Sequence, residues 1–206
     1  MLVSHLAATT FSFPATTAQF APIAVGFFGL GVGYLIYGPQ ELFGFPARDK
    51  AVDLATGIWG IWMPGFMQFL TGVYLFVALV WFGSLSDKPL YMAALAFTAY
   101  GVHWWAIGLG RSFGGDPRPN AFMSIAFTMI SALGVVVFFN HASYDAPVGG
   151  LFIGLTLIYI SDFFASLGSA LGTRVLGFFH LGTGLWLMYL TWATVLNFAS
   201  GFHLTL

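Results

Sequence analysis

Six long apolar runs, nearly free of charged residues, limit what this chain can fold into. A bilayer core is crossed by a helix of about 20 apolar residues. The runs that suit this length are residues 20–37, 54–82, 90–109, 121–139, 151–167 and 175–198. Backbone groups in lipid must bond within the spanning segment, so these runs should be helices and not strands. The sequence therefore predicts an all-α membrane protein with six transmembrane helices.

The scarcity of charge agrees with this prediction. The 206 residues include six Lys or Arg and seven Asp or Glu, so 6 % are charged, whereas a soluble domain carries about 25 %. So few charged side chains cannot coat a soluble globule of this size. The net charge of −1 gives no electrostatic reason to expect nucleic-acid binding. The absence of cysteine excludes disulfides and thiolate metal sites.

Breaks rich in Gly, Pro and the rare charges separate the runs within one transmembrane domain, residues 20–198. Residues 1–19 lack a basic n-region, so we expect a segment lying on the membrane or on a neighbouring subunit, not a signal peptide. Residues 199–206 form a short tail. The prediction is a multi-pass protein of the cell membrane.

The basic residues predict an orientation. One loop between the runs carries only Lys88, whereas loops one, three and five hold the other five basic residues, which are Arg48, Lys50, Arg111, Arg118 and Arg174. Because basic loops stay in the cytoplasm, this count predicts both termini outside.

Small residues predict close helix packing. Residues at spacings of three and four share one helix face, and small residues there let another backbone approach. The first run has such a stripe in Pro22, Gly26, Gly29 and Gly33, and the sixth has Gly177 and Gly184.

Ionisable groups inside a membrane are costly and by default mark function. His103 is either a neutral ring bonded between helices or a titratable group lining a pore. Asp162 either reaches headgroup water at the end of its run or pairs with His103 or Arg174. His180 lies near the start of the sixth run, so we expect it at the membrane interface. Gln68 is an uncharged polar residue in the middle of the second run.

Helical periodicity sorts the polar residues near His103. Tyr100 lies three positions before His103 and shares its face, whereas Thr98 points about 200° away from Tyr100. We therefore expect Tyr100 and His103 to line a path, and Thr98 to bond a preceding carbonyl or face another helix. Leu155 and Asp162 are seven apart and share a face.

The runs contain no His, Asp or Glu pair at metal-ligand spacing, and the sequence has neither a GxSxG nor a GxxxxGK motif. The sequence predicts a protein that is not an enzyme and uses no metal or other cofactor.

Short motifs in five runs resemble the acetate uptake transporters, also called succinate–acetate permeases. The clearest is "FTAYGVHW" at residues 97–104, which is similar to the family's F-T-x-Y-G-x-x-W. The others are "QFAPIAVGFF" at 19–28, "PGFMQFLTGVYL" at 64–75, "FIGLTL" at 152–157 and "MYLTWATVLN" at 188–197. The family is drawn with both termini inside, so the resemblance and the charge count predict opposite orientations.

The resemblance implies a homohexamer in which each protomer encloses its own pore. It implies passage of acetate and related small carboxylates, either passively or with protons. The pore constriction would be formed by Phe28, Tyr100 and Leu155.

Apolar side chains at such a constriction would exclude water from the narrow gap between them. Hydrogen-bond donors for the carboxylate would be the Tyr100 hydroxyl, the Gln68 amide and the backbone near Pro22, where the helix start is partly positive. A fixed charge on Asp162 would repel an anion, so we hypothesise that His103 and Asp162 form a proton-linked pair.

Two other functions fit the same residues. A channel for a small neutral solute such as urea or an amide also suits spans without Lys or Arg. A structural membrane subunit that transports nothing is the third possibility, because a fold alone does not establish a function.

Overall fold

Each apolar run forms one long helix. The computed structural model describes residues 22–141 and 144–205, so the expected interfacial segment at 1–19 lies outside the described residues. Within these ranges there are six helices long and apolar enough to cross a membrane, which confirms the predicted fold class. They are α1 (Ile23–Phe43), α2 (Lys50–Trp81), α3 (Pro89–Phe113), α4 (Arg118–Phe138), α5 (Ala146–Ser166) and α6 (Ala170–Ser200).

The helices are arranged as a closed ring. Each helix packs against the next one in the chain, and α6 returns to pack along α1. Short connections reverse the chain each time, so α1, α3 and α5 begin at one end of the ring. The loops with most of the basic residues, between α1 and α2, α3 and α4, and α5 and α6, lie at the other end. A ring of six helices can enclose a path within a single protomer.

The contact between α2 and α3 is backbone on backbone. A Cβ atom at Gly101 would lie 2.5 Å from the backbone nitrogen of Phe69, and one at Gly72 would lie 2.5 Å from that of Thr98. A Cβ at Gly108 would lie 2.6 Å from the carbonyl oxygen of Gly57. Thr98 donates its hydroxyl to Ala94 O (2.8 Å), so its predicted structural role is confirmed.

The predicted small-residue stripes lie in helix contacts. Gly29 packs against the backbone of Met63 on α2, and Gly33 packs against Pro64 on the same helix. Gly177 of α6 packs against the end of α1. These contacts hold α1 between α2 and α6, which closes the ring.

Pro64 widens α2 in the middle of the membrane. Residues Ile61–Phe66 form π-helical turns around this proline, which has no N–H to donate. The indole Nε1 of Trp105 on α3 donates to the Ile61 carbonyl (3.1 Å), so a neighbouring helix supplies a donor to this segment. The wide turns come directly before Gln68, a residue of the candidate site.

Replacement of Gly101 by Ala should destabilise the bundle by about 2 kcal/mol, because overpacking of this kind costs about 1–3 kcal/mol. The matched control is Gly182→Ala on α6, where a Cβ would meet nothing within 4 Å. Thermal unfolding of both variants in detergent tests this. Equal midpoints for the two variants would contradict the close α2–α3 contact.

Candidate functional site

Two cavities open into the ring from opposite ends. The larger, of about 320 Å³, lies at the end with the basic loops, and the smaller, of about 90 Å³, lies at the end where α1, α3 and α5 begin. On α1 the smaller cavity is lined by Phe27 and Leu30, and the larger one by Tyr34 and Tyr37. The two cavities therefore follow one another along the same face of α1.

The same succession occurs on α3 and α5. Tyr100 and Leu155 line the smaller cavity, whereas His103 and Tyr159, about one helical turn further along, line the larger one. Because three helices show the same order, the cavities lie end to end along the axis of the ring. The side chains between them form a barrier that separates the two cavities.

Packed aromatic rings form this barrier. The ring of Tyr100 lies 5.6 Å from that of Tyr159, and the ring of Phe127 on α4 lies 5.1 Å from Tyr159. His103 lies 4.8 Å from Phe127, measured between ring centroids. Tyr100 and Leu155 are each 2 % exposed. Two of the three residues expected at the constriction thus face the smaller cavity, at its boundary with the larger one.

The third residue expected at the constriction, Phe28, does not face either cavity. Its side chain is 41 % exposed on the outer face of α1 and lines neither cavity. Phe27, which is 3 % exposed and packs 5.7 Å from the ring of Phe97, points inward in its place. Successive residues differ by about 100° around a helix, and here the turn places Phe27 inside the ring and Phe28 on its outer face. The expectation for Phe28 is wrong by one position.

The Tyr100 hydroxyl is already engaged. Ser131 Oγ donates to the Phe127 carbonyl (2.7 Å) and lies 2.8 Å from Tyr100 Oη. A serine hydroxyl has one proton, so Tyr100 must donate to Ser131. In this arrangement the Tyr100 proton is used within the protein, and the expectation that Tyr100 donates to a passing carboxylate stays a prediction.

Gln68 is the polar group at the smaller cavity. Its side chain is fully buried on α2, and neither Oε1 nor Nε2 has a hydrogen-bond partner among the described residues. An unpaired buried polar group costs about 1–3 kcal/mol. Such an amide is ready to bond a molecule inside the cavity through both a donor and an acceptor.

Two further unpaired groups face the larger cavity from α3. His103 Nε2 and Trp104 Nε1 are both buried without a partner in the described structure. Tyr159 Oη lies 3.2 Å from His103 Nδ1. If Tyr159 donates this bond, its only hydroxyl proton is used and His103 carries its own proton on Nε2. This assignment leaves two N–H donors without partners on neighbouring residues that line the cavity.

Asp162 has neither of its expected charged partners. Ser124 Oγ lies 2.6 Å from its Oδ2 and 2.8 Å from the Asn120 carbonyl oxygen, and Ser166 Oγ donates to its Oδ1 (3.2 Å). Asp162 lines the larger cavity together with His103, but His103 bonds Tyr159 instead. The structure therefore shows no direct hydrogen bond between His103 and Asp162, and a proton linkage between them across the cavity stays a prediction.

The histidine–carboxylate pair of this structure is His180 with Glu41. His180 Nδ1 lies 2.5 Å from Glu41 Oε2, and Tyr34 stacks on the imidazole at 4.5 Å. His180 is 6 % exposed, and its partner Glu41 lies two residues before the end of α1, so its expected placement at the membrane interface stays a prediction. Arg111 Nη2 lies 3.8 Å from Glu41 Oε1. Its guanidinium stacks 3.8 Å above the Tyr37 ring, which fixes a cation beside the path.

The mouth of the smaller cavity is acidic. Asp87 and Asp145 line it, and the described lining residues include no Lys, Arg or His. Asp145 caps α5 by accepting from Val148 N–H (2.9 Å). Burial raises the pKa of the Asp145 carboxyl, and the nearby charge of Asp87 raises it further. Pro22 precedes the first turn of α1, and the next residue, Ile23, lines the same cavity.

Sequence patterns signal some of these residues but not others. Phe27, Leu30, Tyr34 and Tyr37 are spaced three, four and three apart, which marks one helix face. Glu41 lies beyond the first apolar run, so hydropathy assigns it to a loop. Among the described residues, no three His, Asp or Glu side chains are close enough to share a metal ion.

No family model matches the sequence, and no curated protein matches it either. A solved structure, that of the bacterial acetate channel SatP, superposes with a TM-score of 0.69 at 19 % identity. The superposition covers 88 % of this chain and 95 % of the other. The resemblance in sequence is thereby confirmed at the level of the fold. This chain is an integral, multi-pass membrane protein with the six-helix fold of that channel.

Proposed function

We propose that this protein is a membrane channel for acetate and related small monocarboxylic acids, and not an enzyme. The fold it shares with an acetate channel supports this proposal. The observation that carries it is the arrangement inside the ring, where two cavities meet at an apolar barrier and unpaired hydrogen-bonding groups lie on both sides.

The barrier and its polar neighbours suit a small amphipathic solute. An acetate-sized molecule presents a methyl group to the apolar surface of Leu155 and the Tyr100 ring, while water is excluded from the gap. Its polar end bonds Gln68 on one side of the barrier and Trp104 with His103 on the other. These bonds replace water at the two points where the solute loses its hydration.

Three finer features belong to the same proposal. Proton coupling would accompany acid transport, so that one proton crosses with each acid molecule. The assembly would be a homohexamer in the cell membrane, each protomer with its own path. The mass of the detergent-purified complex tests the assembly. Labelling from outside of a single cysteine introduced at either terminus tests whether the termini lie outside or inside, since the chain has no cysteine of its own.

A channel for a small neutral solute is the second candidate. The unpaired Gln68 amide and the lack of basic residues at the smaller cavity favour it. Flux into proteoliposomes tests both candidates. Acetate-driven internal acidification above protein-free liposomes supports the acid channel, and urea flux without acidification supports the other. If neither solute moves faster than through protein-free liposomes, the result supports the third possibility, a structural membrane subunit that transports nothing.

The two neighbouring phenylalanines of α1 provide a matched test of the constriction. Phe27→Ala should raise acetate flux severalfold, because the ring that fills the smaller cavity is removed. Phe28→Ala should leave the flux unchanged, since that ring lies on the outer face. Stopped-flow measurement of internal pH gives both rates. An effect confined to Phe28→Ala would contradict the path described above.

Trp104→Phe keeps an aromatic ring but removes the unpaired N–H. The loss of one hydrogen bond of about 1–1.5 kcal/mol should lower acetate flux about fivefold to tenfold. Trp192→Phe, at an indole that is 69 % exposed on the outside of α6, is the control. The same assay compares the two, and equal rates would exclude Trp104 from the path.

A further inference from the structure

We propose that the species crossing this channel is uncharged, so that an acid passes with its own proton and a primary amide of the same shape passes as well. This inference rests on the proposed function and specifies the permeant of that site. Two independent observations support it, the bonding capacity of Gln68 and the charges along both cavities.

Gln68 is complementary to a protonated carboxyl group. Its buried Nε2 and Oε1 both lack partners within the described structure, so a bound molecule should satisfy a donor and an acceptor side by side. An undissociated carboxyl group does this, because its carbonyl accepts from Nε2 while its hydroxyl donates to Oε1. A primary amide offers the same pair. A carboxylate ion has no proton for Oε1 and would meet that oxygen with like partial charge.

The smaller cavity also opposes an anion electrostatically. Asp87 and Asp145 lie at its mouth, and no basic side chain lines it among the described residues. A carboxylate entering there approaches two acidic groups and leaves water without gaining a counter-ion. For a neutral solute these charges carry no such penalty.

The larger cavity has more carboxylates than cations. The charged residues that line it are Glu41, Arg48, Asp53, Arg111, Asp116 and Asp162. Arg48 pairs with Asp53 (2.9 Å) and Arg111 with Glu41 (3.8 Å), while Arg118, outside the lining, pairs with Asp116 (2.5 Å). Asp162 is left with two serine hydroxyls and no cation in the described part of the chain.

The histidines do not reverse this balance. His180 shares its carboxylate, Glu41, with Arg111. His103 bonds the Tyr159 hydroxyl, and Phe127 and Trp104 surround its ring. The groups that contact a solute near the barrier are therefore neutral N–H donors and one amide.

Passage of the neutral acid accounts for proton coupling without a protonated side chain. The molecule RCOOH enters, bonds Gln68 and leaves intact, and in water it dissociates to RCOO⁻ and H⁺. One proton crosses with each acid and no net charge moves. An aliphatic carboxylic acid has a pKa of about 4.3 in water, so its neutral fraction falls about tenfold for each pH unit above about 5.

Proteoliposomes containing the full chain test this with three probes, each measured above protein-free liposomes of the same lipid. Acetamide is neutral at every working pH, trifluoroacetate is an anion throughout, and acetic acid changes with pH. We expect a pH-independent acetamide flux, no trifluoroacetate flux, and an acetic acid flux that falls about tenfold per pH unit. Under an imposed potential, acetate should produce no current.

An acetate current that reverses at the acetate equilibrium potential would overturn the inference and leave the proposed function intact. Acetate flux without acetamide flux would also overturn the inference and leave the proposed function intact. Liposomes in which neither acetic acid nor acetamide moves faster than through lipid alone would overturn the proposed function itself. Acetamide and acetic acid fluxes that fall together with pH would indicate a titrating gate in the protein and contradict the inference.

Gln68→Met tests the pairing directly, because methionine has a similar shape but lacks the amide. Acetamide and acetic acid fluxes should both fall about thirtyfold, since two hydrogen bonds are lost. Leu70→Met, two residues away on the outer face of α2, is the matched control and should change neither flux. Gel filtration checks that the Gln68→Met protein elutes at the same volume as the wild type. If it does and its acetamide flux is unchanged, the role of Gln68 is overturned.

Discussion

Close contact between helix backbones is the constraint on which the rest of this structure depends. In lipid, apolar side chains gain little by meeting one another, so packing and interhelical hydrogen bonds hold the helices together. Gly72 and Gly101 bring α2 and α3 together, and Gly177 brings α6 against α1. These contacts close the ring, and the closed ring turns one face of each helix away from lipid.

The enclosed faces then decide which polar groups can be used. Pro64 widens α2 just before Gln68, and Trp105 of α3 bonds the Ile61 carbonyl in those wide turns. Gln68 follows with both amide atoms unpaired. Across the ring, hydroxyl groups satisfy Tyr100 and Asp162, so neither needs a solute. The polar groups left for a solute are neutral, and they are the basis on which we propose an uncharged permeant.

The charged residues lie mainly at the two ends of the path. Arg111, Glu41 and His180 form a fixed cluster in the larger cavity, and Asp87 with Asp145 marks the mouth of the smaller one. Between them lie the rings of Tyr100, Phe127 and Tyr159. The charged side chains thus lie toward the two cavity openings, and the packed rings lie between them.

The sequence by itself determined the six membrane helices, the stripes of small residues and the structural role of Thr98. These follow from length, hydropathy and helical period, which are local properties. Only the tertiary structure decided that Phe27, and not Phe28, faces the path, because one residue of offset turns a side chain by about 100°. It also decided that His180 pairs with Glu41, and that Asp162 bonds serines instead of His103. These partners lie on different helices, and sequence spacing within one helix carries no information about how the ring brings them together.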